Sequence, residues 1–357
     1  MPDAIFITDA GARAGGGHLM RCTVLANALG ARGWTSRIVA PLDFASVQFV
    51  SPGDKVEISG VSDAALLGPI TLELAMAGRE IYDLVVFDHY GIGIEYERSW
   101  RTSGRCLFAI DDLAARSHDV DILLDQTFGR EADDYAGRVP FGATLLLGPR
   151  YALLRPEFAA ARIADPAARD AIVHRPVRIF VGIGAIDDLG ITEKLMDAID
   201  AVVGDARVNV VLGHGSPNVR SVELKAVESR CAMQVHISPT ITDLLDAMQA
   251  DLAIGAGGVS AWERCALGLP SIVLVVAENQ RANAAAIEMA GAGCMLQVTE
   301  PGWENTFADM LGQMLGDDEA LARMSAAAAR LCNGNGAHLV GDLLCDRAQD
   351  APATKNR

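Results

Sequence analysis

A glycine-rich turn in the second half of the chain has the pattern of a ligand-binding loop. The segment GAGGVSAWE, from Gly255 to Glu263, follows an apolar run and leads into a helical pattern. Unobstructed backbone amides at the start of a helix bind anions such as a diphosphate. A carboxylate such as Glu263 accepts two hydroxyl hydrogens at once and suits a ribose diol. The alternative is a capping box, in which Ser260 and Glu263 satisfy the amides of the helix start.

A histidine that follows three glycines is the candidate base. Gly15, Gly16 and Gly17 precede His18, which the pattern places in the first turn of a helix. The glycines allow a ligand to approach the backbone closely, and the positive end of the helix favours a neutral, basic imidazole. Such a ring could take a proton from water beside the anomeric carbon of a sugar. The alternative is a histidine with a structural role only.

Polar residues also follow several predicted strands. Asp88-His89-Tyr90 comes at the end of a buried run and could orient a sugar, as could the side-chain amides of Asn279 and Gln280 after a later strand. The other strand-end carboxylates are expected mainly to cap loops, and they are Asp9, Asp111, Asp112 and Asp125. No His/Asp spacing matches a metal-ligand set, so we expect no metal site and no cofactor.

The elements that must position these residues alternate between apolar strands and helices. This alternation predicts an α/β protein with parallel sheets, which place ligand sites at the carboxyl ends of their strands. The length fits about two domains. The predicted division is a first Rossmann-like domain over residues 1–160, a linker over 161–176, a second Rossmann-like domain over 177–335, a C-terminal helix over 336–347 and a disordered tail over 348–357.

Composition narrows the classes of function. Half of the 357 residues are hydrophobic, which suits sheets that are buried on both faces. The net charge is −16 without a long basic run, which argues against nucleic acid and stable membrane association. Scattered cysteines, no signal peptide and no apolar run approaching ~20 residues predict a cytoplasmic protein. We expect a monomer or a weak dimer with a small-molecule substrate.

Several motifs, in their order and spacing, resemble those of one family of sugar-nucleotide enzymes. Between about Thr8 and Leu344 they are GGGHLMRC from Gly15, DHY from Asp88, IDDL from Ile110, LLDQ from Leu123, GPRYALLRPEF from Gly148, GAGG from Gly255, WERC from Trp262, GLPS from Gly268 and AENQ from Ala277. On these motifs the chain resembles the PseG family, hydrolases of UDP-2,4-diacetamido-2,4,6-trideoxy-β-L-altropyranose in pseudaminic acid synthesis.

The resemblance carries expectations for fold and mechanism. The family is similar to MurG, the GlcNAc transferase of peptidoglycan synthesis, and has the GT-B fold of two Rossmann-like domains facing a central cleft. It implies that His18 activates water without a metal and that UDP leaves with inversion at C1. The implied UDP contacts are Gly182, Gly184, Gly257, Gly258, Val259, Ser260 and Glu263. The implied sugar contacts are Gly17, Arg21, Asp88, Tyr90, Asn279 and Gln280.

One loop departs from this family, and three other functions fit the same motifs. The family has a GGSDPxN run after the first strand of the second domain, where this chain reads GIGAIDD from Gly182. Because that loop faces the nucleotide and sugar, the departure concerns the identity of the sugar. The other functions are a GT-B glycosyltransferase, in which an acceptor hydroxyl replaces water, a hydrolysing UDP-sugar 2-epimerase, and a protein that binds a sugar nucleotide without chemistry.

Overall fold

The computed structural model divides the chain into two compact units. One comprises Met1–Leu154 with Asn335–Arg357, and the other comprises Arg155–Gly334. The structure describes residues 1–9, 16–41, 56–61, 81–162, 176–184 and 186–350. The first unit therefore ends earlier than the predicted boundary at residue 160. Most of the predicted linker lies outside the described residues.

The first unit is built on a sheet of seven parallel strands. They are β1 Asp3–Thr8, β2 Thr35–Pro41, β3 Val56–Val61, β4 Tyr82–Asp88, β5 Gly104–Ile110, β6 Ile122–Asp125 and β7 Thr144–Leu147. Their order across the sheet is β3-β2-β1-β4-β5-β6-β7. The direction of strand addition therefore reverses between β1 and β4, where open α/β sheets place their ligand sites.

The second unit is built on a sheet of six parallel strands. They are β8 Val177–Gly182, β9 Ala206–Leu212, β10 Ala232–Ile237, β11 Leu252–Ala256, β12 Ser271–Val275 and β13 Gly293–Gln297. Their order is β10-β9-β8-β11-β12-β13, so this sheet reverses between β8 and β11. The prediction of two parallel-sheet, Rossmann-like folds is confirmed.

Helices connect most of the successive strands. They are α1 Gly17–Gly30, α2 Ile94–Ser99, α3 Pro156–Ala160, α4 Ile191–Val202, α5 Val219–Glu228, α6 Ile241–Ala247, α7 Val259–Ala266, α8 Arg281–Met289, α9 Trp303–Leu315, α10 Asp318–Leu331 and α11 Gly336–Asp350. The helical pattern of the sequence predicts helices at about Trp303 to Leu315 and Asp318 to Leu331, and these are the bounds of α9 and α10. The sequence pattern did not predict β13 or the short helices α2 and α3, because segments this short carry little periodicity.

Both faces of the first sheet are buried. On β1, Ala4 and Phe6 pack in one core with α1, whereas Ile5 and Ile7 pack in another with Trp100. Successive side chains of a strand point to opposite faces, so a sheet covered on both sides needs continuous apolar strands. This burial explains why the strands have unbroken apolar runs in the sequence.

The last helix, α11, belongs to the first unit. Val340 and Leu344 lie in the same core as α1, and Arg32 Nε donates to Asp342 Oδ1 at 2.8 Å. The helix continues to Asp350, so the prediction of a disordered tail from residue 348 is wrong for 348–350. Residues 351–357 lie outside the described part of the chain. No helix in the described ranges is long and apolar enough to span a membrane.

Candidate functional site

His18 lies against a buried carboxylate at the switch point of the first sheet. Helix α1 begins at Gly17, which places His18 in its first turn as predicted. Asp88 is the last residue of β4, paired in register with Thr8 of β1. The two side chains meet with His18 Nδ1 2.6 Å from Asp88 Oδ1. Gly15 of the same motif lies outside the described residues.

A buried arginine holds the other side of this carboxylate. Arg21, one turn after His18, donates through Nε to Asp88 Oδ2 at 2.7 Å and through Nη2 to Oδ1. Burial alone would raise the pKa of Asp88, but the charge of Arg21 and the hydrogen bonds with Arg21 and His18 outweigh it and hold that pKa well below its usual range. An ionised carboxylate at Nδ1 fixes the ring and leaves Nε2 as the basic atom. Among the described residues Nε2 has no hydrogen-bond partner.

This burial does not fit the predicted sugar contacts of Arg21 and Asp88. Arg21 is 2% exposed and Asp88 is fully buried, and their charged groups face each other and His18. Their sugar contacts stay a prediction, since in this structure both groups bond to each other and lie against His18.

Tyr90 supports the imidazole from a second direction. Its ring meets the His18 ring edge to face, with centroids 4.9 Å apart. Its hydroxyl donates to Asp112 Oδ1 at 2.9 Å, and Asp112 also accepts from Arg21 Nη1 at 3.3 Å. The sequence predicted mainly a loop-capping role for Asp112. Its pairing with Arg21 depends on the neighbouring positions of β4 and β5, which no local pattern reveals.

Two of the remaining strand-end carboxylates, Asp111 and Asp125, form a separate buried network. The Tyr135 hydroxyl lies 3.0 Å from Asp111 Oδ2 and 2.8 Å from Asp125 Oδ2. Each carboxylate also accepts a backbone amide of its own loop, from Ala114 and Thr127 respectively. These bonds are the loop capping that the sequence analysis expected of Asp111 and Asp125.

The glycine turn of the second unit follows β11 at the switch point of the second sheet. Helix α7 begins at Val259 with Gly258 as its N-cap and no side-chain cap. First-turn amides of a helix have no intrahelical acceptor, and none is found for Gly258, Val259 or Ser260 among the described residues. The amide of Gly257 donates to the Leu274 carbonyl at 3.0 Å. Gly257 is therefore not the amide donor that the sequence analysis predicted, whereas the next three residues keep that capacity.

The capping-box alternative is wrong for this turn. The helix starts one residue before Ser260, and no side chain caps it. Glu263 is instead paired with Arg155, whose Nη2 lies 3.1 Å from Glu263 Oε1. The ribose role of Glu263 stays a prediction. The sequence around Arg155 did not predict this pairing, because the partner lies more than a hundred positions away.

The loop after β8, which departs from the family motif, is held in place by the carboxylate of one of its own residues. Asp187 is buried and accepts the amides of Ile191 and Thr192 at 2.9 and 2.8 Å, which caps the start of α4. Asn218 Nδ2 donates to the same carboxylate at 2.9 Å. The first amides of α4 are thus occupied from within the unit.

The two glycines predicted as UDP contacts in this loop, Gly182 and Gly184, are favoured at their positions for different reasons. A Cβ on Gly182 would lie 2.8 Å from the Phe180 ring, so a larger residue there would have to displace that ring. Gly184 has φ +123°, a conformation that favours glycine. Gly182 pairs in register with Gly255, which places the two strand ends side by side.

Gln280 lies beside the glycine turn. A Cβ on Gly257 would lie 3.0 Å from the Gln280 carbonyl oxygen, so the two backbones pack closely. Gln280 Oε1 accepts the Val276 amide at 3.3 Å, while Asn279 is exposed in the short 3-10 turn Glu278–Gln280. Among the described residues no three His, Cys, Asp or Glu side chains are grouped so that they could hold a metal ion.

Arg264 is the charged residue of this region that the sequence analysis missed. It is 1% exposed and lies on the buried side of α7 with Ala261, Trp262 and Cys265. A charged residue among apolar positions of a helix was the available signal. Such a position is normally apolar, and a charge there needs partners.

Comparisons with known proteins agree with this architecture. Residues 191–338 match the model of the glycosyltransferase family 28 C-terminal domain. The spore coat polysaccharide biosynthesis protein SpsG of Bacillus subtilis is 29% identical over 202 residues, 56% of this chain and 57% of that protein. A UDP-2,4-diacetamido-2,4,6-trideoxy-beta-L-altropyranose hydrolase of Campylobacter jejuni is 31% identical over 155 residues, 43% of this chain and 52% of that protein. The chain covers about half the length of these curated relatives.

A solved structure matches over nearly the whole chain. The crystal structure of Acinetobacter baumannii MurG has a TM-score of 0.64 at 15% identity, covering 97% of this chain and 100% of that one. At this identity the likeness concerns the fold alone. With two parallel sheets that each reverse beside their first strand, the chain has the GT-B fold.

Proposed function

We propose that this protein hydrolyses a UDP-activated sugar, with His18 as the base. The observation that carries the proposal is the buried pair of His18 and Asp88, 2.6 Å apart, with Arg21 holding the carboxylate. A ring held in this way at Nδ1 presents Nε2 as a proton acceptor. The arrangement is the orienting half of a catalytic triad, and because no nucleophilic side chain of the described residues bonds to Nε2, it suits activation of water.

The proposed step is an inverting displacement at the anomeric carbon. The water oxygen forms a bond to C1 while its proton passes to His18 Nε2. The bond between C1 and the diphosphate oxygen breaks, and its electron pair leaves with UDP. A diphosphate spreads this charge over several oxygens, so the leaving group needs hydrogen-bond donors more than a proton.

The second unit supplies the proposed nucleotide site. The amides of Gly258, Val259 and Ser260 at the start of α7 are available as donors to a diphosphate. Glu263 is the proposed acceptor of the ribose hydroxyls. The match to the family 28 C-terminal domain includes these residues and supports the assignment. The proposal requires this site and His18 to act on one substrate molecule.

The finer proposal concerns the sugar. The Campylobacter jejuni hydrolase, 31% identical over 155 residues, supports UDP-2,4-diacetamido-2,4,6-trideoxy-β-L-altrose as the substrate. Asn279 and Gln280 are the proposed sugar contacts of the second unit. The loop from Gly182, closed by Asp187, is where this chain differs from the motif of that family.

The alternative is a UDP-sugar glycosyltransferase of the same fold. It is favoured by the match to the glycosyltransferase family 28 C-terminal domain. In that reaction the same base would deprotonate an acceptor hydroxyl in place of water. Release of UDP in the absence of any acceptor distinguishes the two functions. Analysis of the released sugar distinguishes simple hydrolysis from a hydrolysing 2-epimerase.

The test is UDP release from a panel of UDP-amino sugars by the purified protein without acceptor. We expect turnover with a diacetamido-trideoxy sugar, and a fall of about 100-fold or more in His18→Ala with UDP affinity retained. His338→Ala, at an exposed histidine of the same unit, is the control and should keep full turnover. No UDP release from any member of the panel, or undiminished turnover in His18→Ala, would contradict the proposal.

A further inference from the structure

The guanidinium of Arg264 is seated against the end of β11, where the glycine turn begins. Its Nη2 donates to the carbonyls of Ala256 at 2.8 Å and Gly255 at 3.3 Å, and its Nε donates to Ser271 Oγ at 3.2 Å. A Cβ on Gly255 would lie 2.6 Å from Nη1. The glycine at position 255 is therefore what lets the guanidinium approach the backbone.

No carboxylate is among the hydrogen-bond partners of Arg264 in the described part of the unit. Its partners are two carbonyls and two hydroxyls, and the neighbouring Glu263 is paired with Arg155. Burial lowers the pKa of Arg264 to about 10, so it is still charged at neutral pH. A buried charge without a counterion costs free energy. A neutral side chain could supply hydrogen bonds to carbonyls, so these contacts alone do not account for a charge.

The fourth contact connects this charge to the turn. Arg264 Nη1 donates to Ser260 Oγ at 3.3 Å. A hydroxyl that accepts from a guanidinium keeps its own hydrogen for another acceptor. Ser260 lies in the first turn of α7, beside the uncapped amides of Gly258 and Val259. The Ser260 hydroxyl can therefore donate its own hydrogen to a ligand at the same helix start as these amides.

We propose that Arg264 is a positioning residue for the diphosphate of the nucleotide. It orients the Ser260 hydroxyl as a donor and adds positive charge behind the amides of the glycine turn. The inference rests on the proposed function, because it assumes that a nucleoside diphosphate binds this turn. It predicts that Arg264 contributes to recognition of the diphosphate and not of the nucleoside. It also predicts that this contribution grows as negative charge develops on the departing UDP.

The experiment compares the affinities of the full-length protein for UDP and for uridine by calorimetry. In Arg264→Gln, which keeps hydrogen-bond donors and removes the charge, we expect the UDP affinity to fall about 30-fold. Uridine affinity should change by less than about threefold. The control is Arg162→Gln, because Arg162 Nη2 also donates to a backbone carbonyl of this unit, that of Ala329 at 2.7 Å. It should leave the ratio of the two affinities unchanged.

Arg264→Lys provides a readout that a merely structural role would not move. At about pH 7.5 the lysine is expected to keep most of the preference for UDP. Burial lowers the pKa of a lysine, so the preference should fall by about pH 9.5, where wild type keeps it. This series also serves if Arg264→Gln fails to fold.

The outcomes separate the two proposals. If wild type prefers UDP to uridine and Arg264→Gln keeps the same ratio, the inference is wrong and the proposed function stands. An equal loss of both affinities in Arg264→Gln would likewise overturn the inference, since it indicates a structural role. If the wild-type protein binds no UDP, the proposed function fails and the inference fails with it.

Discussion

Two buried arginines, one in each unit, are held in opposite ways. Arg21 on α1 and Arg264 on α7 are 2% and 1% exposed. Arg21 faces the carboxylates of Asp88 and Asp112, whereas Arg264 faces carbonyls and hydroxyls. Burial alone would lower the pKa of both guanidinium groups. For Arg21 the nearby Asp88 charge outweighs burial and raises the pKa, while for Arg264 the pKa stays lowered to about 10.

The two arginines therefore use their charges differently. The charge of Arg21 holds the groups around His18, whereas the charge of Arg264 is proposed to act on a ligand. In the first unit the cation and its anions neutralise one another, and the result is a fixed imidazole. In the second unit no carboxylate among the described residues accepts a hydrogen bond from the cation, which lies beside a helix start that also lacks a cap. The neighbouring helix α4 shows the contrasting case, because Asp187 already occupies its first amides. An unoccupied helix start with a buried cation is the arrangement that an anionic ligand completes.

The largest expected effect is on stability, and it contrasts the two arginines directly. Arg21→Met leaves the buried Asp88 carboxylate without its cation and should lower the free energy of unfolding by about 3–5 kcal/mol. Arg264→Met leaves no buried anion and should cost about 1–3 kcal/mol, from carbonyls that lose a donor. Urea unfolding of both variants measures this. Equal losses of unfolding free energy in the two variants would show that the two arginines do not differ in how their charges are balanced.

The next effect tests whether the balanced charges of the first unit hold His18. Asp88→Asn keeps the shape of the side chain but removes the charge at Nδ1. We expect turnover to fall about 100-fold or more, with UDP affinity unchanged, because the proposed nucleotide site lies in the other unit. Steady-state kinetics with calorimetry of UDP binding gives both quantities. A fall in UDP affinity without a change in turnover would show that Asp88 does not act through the histidine.

A smaller effect is expected at Glu263, the carboxylate next to Arg264. Glu263→Gln removes one of the two carboxylate oxygens that are proposed to accept the ribose hydroxyls, and it weakens the contact with Arg155. We expect KM to rise about tenfold with little change in kcat, since a ribose contact is the same in substrate and transition state. Arg155→Gln should cause a smaller rise by loosening the carboxylate. A lower melting temperature with an unchanged KM would indicate a structural role only.

The smallest effect concerns pH and a histidine buried in the first unit. Burial alone would lower the pKa of His118, but Asp111 and Glu97 outweigh it and raise that pKa. A raised pKa in the folded state stabilises the fold below the unfolded value of about 6.5. This contribution is lost as pH rises through the folded value. The melting temperature should therefore fall by a few degrees from about pH 6 to about pH 9.

His118→Gln is the control for this pH dependence. Without the titrating ring, the part of the slope that belongs to His118 should disappear. A slope of the same size in His118→Gln would assign the dependence to other groups of the protein.

Much of the architecture was already readable from the sequence. Continuous apolar runs predicted strands buried on both faces, and glycines after β11 predicted a tight entry into α7. Both depend on burial and backbone geometry that neighbouring residues impose, so they leave a local trace. The segments that were missed, such as β13 and α2, are too short for periodicity to show.

The contacts of the charged side chains were decided by the tertiary structure alone. Asp88 was predicted to touch a sugar, yet it is buried against His18 and Arg21. The Ser260–Glu263 pattern predicted a capping box, yet Glu263 pairs with Arg155. The free energy of a buried ion pair depends on which strand ends become neighbours, and that order is set by the whole sheet. Local sequence patterns thus predicted the fold class and the glycine turn. The partners of Arg21 and Arg264 depend on how the strands and helices pack, and the tertiary structure alone decides them.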